Sequence, residues 1–321
     1  MNKKFFICAI AVVTALMGST GVRAQSYPNK PIRLEVGFLA GGSADVVARI
    51  FGQKISESLG QPVVVGNRAG AAGSLAADFV AKGDADGYRI LMLPSSTFVY
   101  SLLSKNVTYN ITRDFTPISY IGYTPLLLAV TPGLPARSLD ELTTLARAKS
   151  LSYGSDGVGG FSQLAAELFS QNAGIKLLHV PFKSAVESTM ATSGGQVDMN
   201  FPALTSALPL LKADRMRAVA VTSLKRSTLL PNVPTLDELG MKGFDQVAWY
   251  GFVGPAKLPK EVVDKLRAAI TAASNSPDVK EAMAKQGMEL ESKSPEQFTS
   301  FIRDSAAQIT KVAKDVNIRL E

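Results

Sequence analysis

The run Val36-Gly37-Phe38-Leu39-Ala40-Gly41-Gly42-Ser43-Ala44-Asp45 carries residue types that hold an anion without a cationic side chain. An apolar strand reaches a glycine pair, and an amphipathic helix begins at once. The first N–H groups of such a helix have no intrahelical partner. The aligned peptide dipoles put partial positive charge at the same end. A carboxylate fits there, and Gly41 and Gly42 keep the backbone open to it because neither carries a Cβ. Gly154-Ser155-Asp156-Gly157-Val158-Gly159-Gly160-Phe161-Ser162 follows the same plan in the second half of the chain, and Leu93-Pro94-Ser95-Ser96-Thr97-Phe98 puts three hydroxyls after another strand. Each alone also reads as cap and turn chemistry. Together they say more, because ligands of open α/β sheets sit beyond the carboxyl ends of strands.

Residues for catalysis are sparse. The single histidine, His179, lies in the apolar run Leu177-Leu178-His179-Val180-Pro181-Phe182, where a hydrogen-bonded strand-end histidine is the simpler reading than a general base. Cys8 is the only cysteine and stands in the N-terminal apolar run. Nucleophile–base pairs and His- or Cys-based metal sites therefore have little to build on. A Ser–Lys or carboxylate-pair enzyme stays open at this stage. No P-loop pattern is present, and Gly157-Val158-Gly159-Gly160 lacks dinucleotide-binding spacing. No cofactor and no metal are expected.

The elements that position these loops alternate along the chain. Ile32–Phe38, Pro62–Val65, Tyr88–Leu93, Leu151–Gly154, Leu177–Val180, Val197–Phe201, Arg217–Thr222 and Val247–Val253 read as strands. Ala44–Leu59, Leu75–Lys82, Ser162–Asn172 and Val186–Ser193 read as helices. Thr116–Gly122 and Pro125–Val130 are apolar segments between them. Ser138 with Glu141, Thr235 with Glu238, and Ser294-Pro295 with Gln297 mark helix starts, as does Ser276-Pro277. The alternation predicts an α/β protein with largely parallel sheets.

Met1-Asn2-Lys3-Lys4, the apolar run from Phe5 to Met17 and Val22-Arg23-Ala24 describe a secretory leader cleaved after Ala24. The formal charge of +7 includes Lys3, Lys4 and Arg23, three charges that leave with the leader, so the mature charge is +4. No basic block suggests nucleic acid. A periplasmic location follows from the leader.

Several segments resemble, in order, the Bug or tripartite tricarboxylate transporter substrate-binding family. They are Tyr27-Pro28-Asn29-Lys30-Pro31-Ile32-Arg33-Leu34, Phe38–Asp45, Gly60-Gln61-Pro62-Val63-Val64-Val65-Gly66-Asn67-Arg68, Asp86-Gly87-Tyr88 and Tyr153-Gly154-Ser155. His179-Val180-Pro181-Phe182-Lys183, Gly194-Gly195-Gln196-Val197-Asp198, Leu229-Leu230-Pro231-Asn232-Val233-Pro234-Thr235 and Trp249-Tyr250-Gly251 complete the set. The resemblance implies a type II periplasmic binding fold, with two α/β lobes around a ligand cleft joined by hinge strands. Residues 1–24 would be the signal peptide, 25–123 with 247–321 one lobe, and 124–246 the other. Gly122–Leu126 and Gln246–Val253 would form the hinge. The implied ligand is a small carboxylate. Around it stand Phe38, Ala40, Gly41, Gly42 and Ser43; Ser95, Ser96, Thr97 and Phe98; Ser155, Gly157, Gly159, Gly160 and Phe161; and Asn200 and Phe201. Backbone amides with Ser95, Ser96, Thr97 and Ser155 would hold carboxylate oxygens.

The chain departs from the family pattern at Pro202-Ala203, where many relatives have Asp-Asn, at Phe161, where a small hydroxyl residue is common, and at Gln163, where histidine is common. Loss of the acidic group argues against an amino-acid ligand. Phe38, Phe98, Phe161 and Phe201 either belong to the core, the commoner fate of phenylalanine, or wall the cleft for an aromatic dicarboxylate such as terephthalate. The implied partners are the integral membrane subunits of a tripartite transporter, or a sensor kinase, with the protein itself a monomer. The alternatives are a secreted α/β hydrolase and an extracytoplasmic ligand sensor.

Overall fold

The computed structural model describes residues 27–315, and the expected leader lies outside the described residues. The first half opens with β1 (Ile32–Val36), α1 (Ser43–Leu59), β2 (Val63–Asn67), α2 (Ser74–Ala81), β3 (Arg89–Pro94), α3 (Ser95–Leu103) and β4 (Phe115–Pro125). β1 pairs in parallel with β2 and β3, with the helices as crossovers. A middle segment supplies β5 (Leu127–Val130), α4 (Leu139–Ala148), β6 (Leu151–Ser155), α5 (Phe161–Ala173) and β7 (Leu177–Pro181). It continues with α6 (Ala185–Ser193), β8 (Met199–Asn200), α7 (Leu204–Lys212) and β9 (Arg217–Val221). The chain ends with β10 (Val247–Pro255), α8 (Lys260–Asn275), α9 (Pro277–Lys285), β11 (Glu289–Lys293) and α10 (Pro295–Asp315).

Two sheets result, one in the order β11-β4-β10-β3-β1-β2 and one in the order β7-β6-β8-β5-β9. They are less parallel than the alternation predicts: four pairings are parallel and five antiparallel. The chain leaves the first sheet through β4 and re-enters it through β10. These two strands run against each other and against the neighbours they meet.

Local signals decide most boundaries. Ser138 and Ser184 each cap a helix by accepting the N–H three residues on, and Ser294 with Gln297 forms the reciprocal pair that starts α10. Thr235 and Glu238 make the same reciprocal bonds at 3.0 and 2.9 Å, yet only turns follow. The cap is satisfied there, but Leu239-Gly240 ends the run before a helix can propagate. Ser95-Ser96-Thr97-Phe98, expected as a loop, is the first turn of α3.

Both crossings meet at Thr222. Its buried hydroxyl accepts the Leu126 N–H at 3.0 Å and donates to the Gln246 carbonyl at 2.5 Å. Its own backbone exchanges bonds with the same two residues. A second link joins the two sheets' segments: Glu289 Oε1 accepts Ser227 Oγ, Thr228 N and Thr228 Oγ1 at 3.1, 3.0 and 2.9 Å.

The core has three parts. One lies under α1 and α8, built from β1 residues with Phe51, Phe252 and Leu266. A small one lies under α7. The largest is continuous through both sheets. It runs from Leu93 and Phe98 through Trp249 and Phe298 to Tyr153, Leu164 and Phe169. α10 supplies Phe298, Ile302, Ala306 and Ile309 to it, and packs against both α3 and α5.

Candidate functional site

The first loop is built as an open helix start. Gly41 takes φ +84°, a left-handed conformation that glycine adopts without steric cost. Gly42 is the extended N-cap of α1, at φ −72° and ψ 164°, with no side-chain cap. Their own N–H groups are already used: Gly41 donates to Asp45 Oδ2 at 2.9 Å and Gly42 to the Leu39 carbonyl at 3.3 Å. The open N–H groups are therefore those of Ser43, Ala44 and Asp45 in the first turn. Buried Asp45 also accepts Arg49 Nε at 2.9 Å and Asn67 Nδ2 at 2.8 Å, and Asn67 holds the Phe38 carbonyl at 3.0 Å. Burial pushes the Asp45 carboxyl up, but the bonds from Arg49, Gly41 and Asn67 outweigh it and hold the group down at about 2. Ala40, Gly41, Gly42 and Ser43 are exposed, and Phe38 is half-buried.

A neighbouring loop was not among the expected site residues. From Gly70 to Gly73 all four residues have positive φ: 138°, 47°, 50° and 91°. Ala71 and Ala72 hold a conformation that costs an L-residue roughly 1–2 kcal/mol. The loop is pinned by Thr97 Oγ1, which donates to the Ala72 carbonyl at 2.8 Å. A Cβ on Gly73 would overlap Thr97 Oγ1 and press on the Phe38 ring. The signal in the sequence was the alanine pair set between two glycines ahead of Ser74. Thr97 and Ser95 are buried, and Ser96 is half-buried at the start of α3.

The second loop matches the first. Gly159 takes φ +74°, and Gly160 is the extended N-cap of α5, at φ −67° and ψ 159°. Gly159 N–H donates to Gln163 Oε1 at 2.6 Å, and Gly160 N–H to the Gly157 carbonyl at 3.1 Å. Asp156 and Ser162 bracket the loop: Asp156 N–H donates to Ser162 Oγ at 2.9 Å, and Ser162 N–H and Oγ donate to Asp156 Oδ1. His179, on edge strand β7, stacks on Tyr153 with ring centres 4.8 Å apart. Its Nε2 lies 2.6 Å from Ser155 Oγ, and its Nδ1 lies 3.2 Å from Gln163 Nε2. A serine beside a histidine invites a hydrolase reading. Here the far ring nitrogen faces an amide –NH2, a donor, so Nδ1 meets no oxygen that could take its proton as the orienting member of a catalytic triad does.

The remaining expected ligand residues take the following places. Ser155 is fully buried, and its hydroxyl supports the loop by donating to the Gly157 carbonyl at 3.1 Å. Phe98 and Phe201 are core residues, packed on Trp249 and Phe169 with ring centres 5.4 and 5.6 Å apart. Phe161 lines a narrow cavity with Val99, Trp249 and Phe301, where α10 meets α5. Of the four rings proposed as a wall, Phe38 and Phe161 stand at the loops, both half-buried. Asn200 is buried in β8, opposite Ala129 and Gly154, and donates to Thr189 Oγ1 at 3.2 Å. Gly157, Gly159 and Gly160 are half-buried on the loop itself.

A cavity of about 80 Å³ lies where the two sheets' segments face each other. Ser43 and Val47 of α1 line it on one side, Ala203 and Thr205 at the start of α7 on another. The crossing strands add Thr124, Ala248 and Tyr250, and the turn before β11 adds Gln286 and Met288. Of the expected loops it draws on Ser43 and Ala203, and of the expected crossings on Thr124, Ala248 and Tyr250. No lining side chain is charged. An anion in this cavity would be held by hydroxyls, an amide and helix N-termini. α7, like α1, starts without a side-chain cap, at Ala203.

Comparison with known proteins agrees with this architecture. The model of the tripartite tricarboxylate transporter family receptor matches residues 47–318. BugT of Bordetella pertussis is 33% identical over all of both chains. An R. palustris protein solved with adipate is 32% identical, with a TM-score of 0.73 over 91% of this chain and 99% of its own. MatC of Rhodopseudomonas palustris, solved with bound malate, is 27% identical, with a TM-score of 0.70 over 89% and 99%. These relatives are binding receptors rather than enzymes. With two sheets joined by crossing strands and a matching helix-start loop on each, the chain belongs to the tripartite tricarboxylate transporter family of receptors.

Proposed function

We propose that this protein captures a small carboxylate in the periplasm, between its two lobes, and delivers it as a monomer to the membrane subunits of a tripartite tricarboxylate-type transporter. The lobes are taken as 25–123 with 247–321, and 124–246. The observation that carries this reading is the pair of matching loops, Leu39–Ser43 and Gly157–Phe161, each opening a helix with a bare N-cap, one on each sheet. Adipate and malate in the two solved relatives supply the ligand class. The uncharged cavity at Ser43, Thr205 and Tyr250 suits a short aliphatic chain with polar ends. The aromatic dicarboxylate alternative is less favoured, since Phe98 and Phe201 are packed in the core.

The experiment is calorimetry on the mature protein with adipate, malate and terephthalate, beside solution scattering with and without ligand. Binding of an aliphatic carboxylate with a smaller radius of gyration is the expected result, because a ligand touching both lobes favours the closed form. Tighter binding of terephthalate would restore the aromatic reading, and no carboxylate binding at all would end both.

A further inference from the structure

Hydrogen-bond chemistry fixes the proton positions around His179. Gly159 N–H is only a donor, so the Gln163 atom that meets it is the amide oxygen. The –NH2 end then faces Nδ1, which must present its lone pair. The ring proton is on Nε2 and points at Ser155 Oγ. Ser155 passes its own proton to the Gly157 carbonyl and takes the Gly157 N–H at 3.2 Å. Donation runs one way, from Gly159 through Gln163, His179 and Ser155 to Gly157. Both ends of the circuit are backbone groups of the same loop.

We propose that Gln163 and His179 are positioning residues for the Gly157–Gly160 loop: each fixes the other's orientation, together they hold Gly157 and Gly159 in the shape offered to the ligand, and a second proton on His179 breaks the circuit. The part that concerns ligand rests on the carboxylate-binding reading. A proton on Nδ1 meets the Gln163 –NH2 donor head-on. Turning the amide over only moves the clash to Gly159 N–H. One bond is lost either way, and the loop loosens. The titratable groups around the ring are Asp156, from the loop after β6, the Tyr153 phenol beneath it, and Glu167 of α5, which accepts that phenol at 2.5 Å. β6 and β7 carry no charged side chain. Burial holds His179 below the usual histidine range, against the opposing pull of Asp156.

Histidine occurs once in the chain, so imidazole nitrogen NMR reads a single ring. At about pH 8 the ring is expected as the Nε2–H tautomer, and in Gln163→Leu that preference is expected to be lost while the circular dichroism is kept. From about pH 8 to 5 the Gly157 and Gly159 amide resonances should move with the midpoint of the ring, and should cease to follow it in Gln163→Leu. The Kd for adipate should rise at least about three-fold across that midpoint in the wild type, and be already weakened and flat in Gln163→Leu. An Nδ1–H tautomer in the wild type overturns the circuit. So do glycine amides indifferent to the ring, or the same adipate profile in both proteins. If neither adipate nor malate binds at any pH, the carboxylate reading fails, and the ring spectrum still decides the circuit by itself.

Discussion

Asp45 and Gln163 are counterparts. Each takes the N–H of the left-handed glycine four residues before it, Gly41 at 2.9 Å and Gly159 at 2.6 Å, and each sits in the first turn of the helix that its loop opens. One is an ionised carboxylate tied to Arg49; the other is a neutral amide tied to His179. The two loops thus brace the same backbone shape by different means, and they should answer acid differently.

The Asp45 brace should fail at low pH. Its folded pKa of about 2 lies below the unfolded value near 3.8. Its contribution is therefore complete above about pH 4 and is lost as pH falls towards 2, roughly 2 kcal/mol in all. Denaturant unfolding at neutral pH and near pH 2 should show a larger acid loss for the wild type than for Asp45→Asn. Equal losses in both would remove Asp45 from the acid response.

The adjacent glycines should behave differently when substituted. Gly42 is extended, and a Cβ there would meet only the Leu39 carbonyl at 3.3 Å. Gly42→Val should fold with a Tm near the wild type's. Its branched side chain should obstruct the N–H groups of Ser43 to Asp45 and weaken adipate binding at least about ten-fold, or 1.4 kcal/mol. Gly41→Val places a β-branched residue at φ +84° and should lose roughly 1–2 kcal/mol of stability. Calorimetry and thermal melts separate the two effects, and wild-type affinity in Gly42→Val would take this loop out of the site.

Thr222→Val tests the tie between the crossing strands. The change keeps shape but strands the Leu126 N–H and the Gln246 carbonyl, both otherwise bonded to the Thr222 hydroxyl. Stability should fall by about 1–3 kcal/mol, which is roughly 2–10 °C in Tm for a chain of this size. A melt within a degree of the wild type would mean that the backbone bonds of Thr222 suffice.

Glu289→Ala removes the acceptor of three bonds that join β11 to Ser227 and Thr228. The ligand-free protein should populate wider conformations, seen as a larger radius of gyration. Apparent affinity should weaken by about five-fold if the clasp contributes about 1 kcal/mol to the closed form. An unchanged scattering curve would mean that the clasp does not move.

Many of the elements could be read directly. The apolar runs at Ile32, Val63 and Arg89 and the caps at Ser138 and Ser294 gave their elements to within a few residues, because local chemistry decides them. The Ser95–Phe98 helix start was hidden because three consecutive hydroxyl residues look the same in a turn and in a first helical turn. The site was legible only in part. Gly41–Ser43 and Gly157–Gly160 announce their backbone by glycine spacing. Thr205, Gln286 and Met288 carry no local mark, and they meet Ser43 only because two distant crossings bring them there. The fates of Phe98, Phe161 and Phe201 turned on packing with Trp249, Phe301 and Phe169, which no local pattern encodes.

The shared core through Trp249 and α10 also sets how the molecule can move. Apolar packing that is continuous from Phe98 to Phe169 cannot part without exposing several aromatic rings to water. That face acts as the spine of a book. The bonds from Ser227 and Thr228 to Glu289, beside the crossing strand at Tyr123, are by contrast ones that water can replace at little expense.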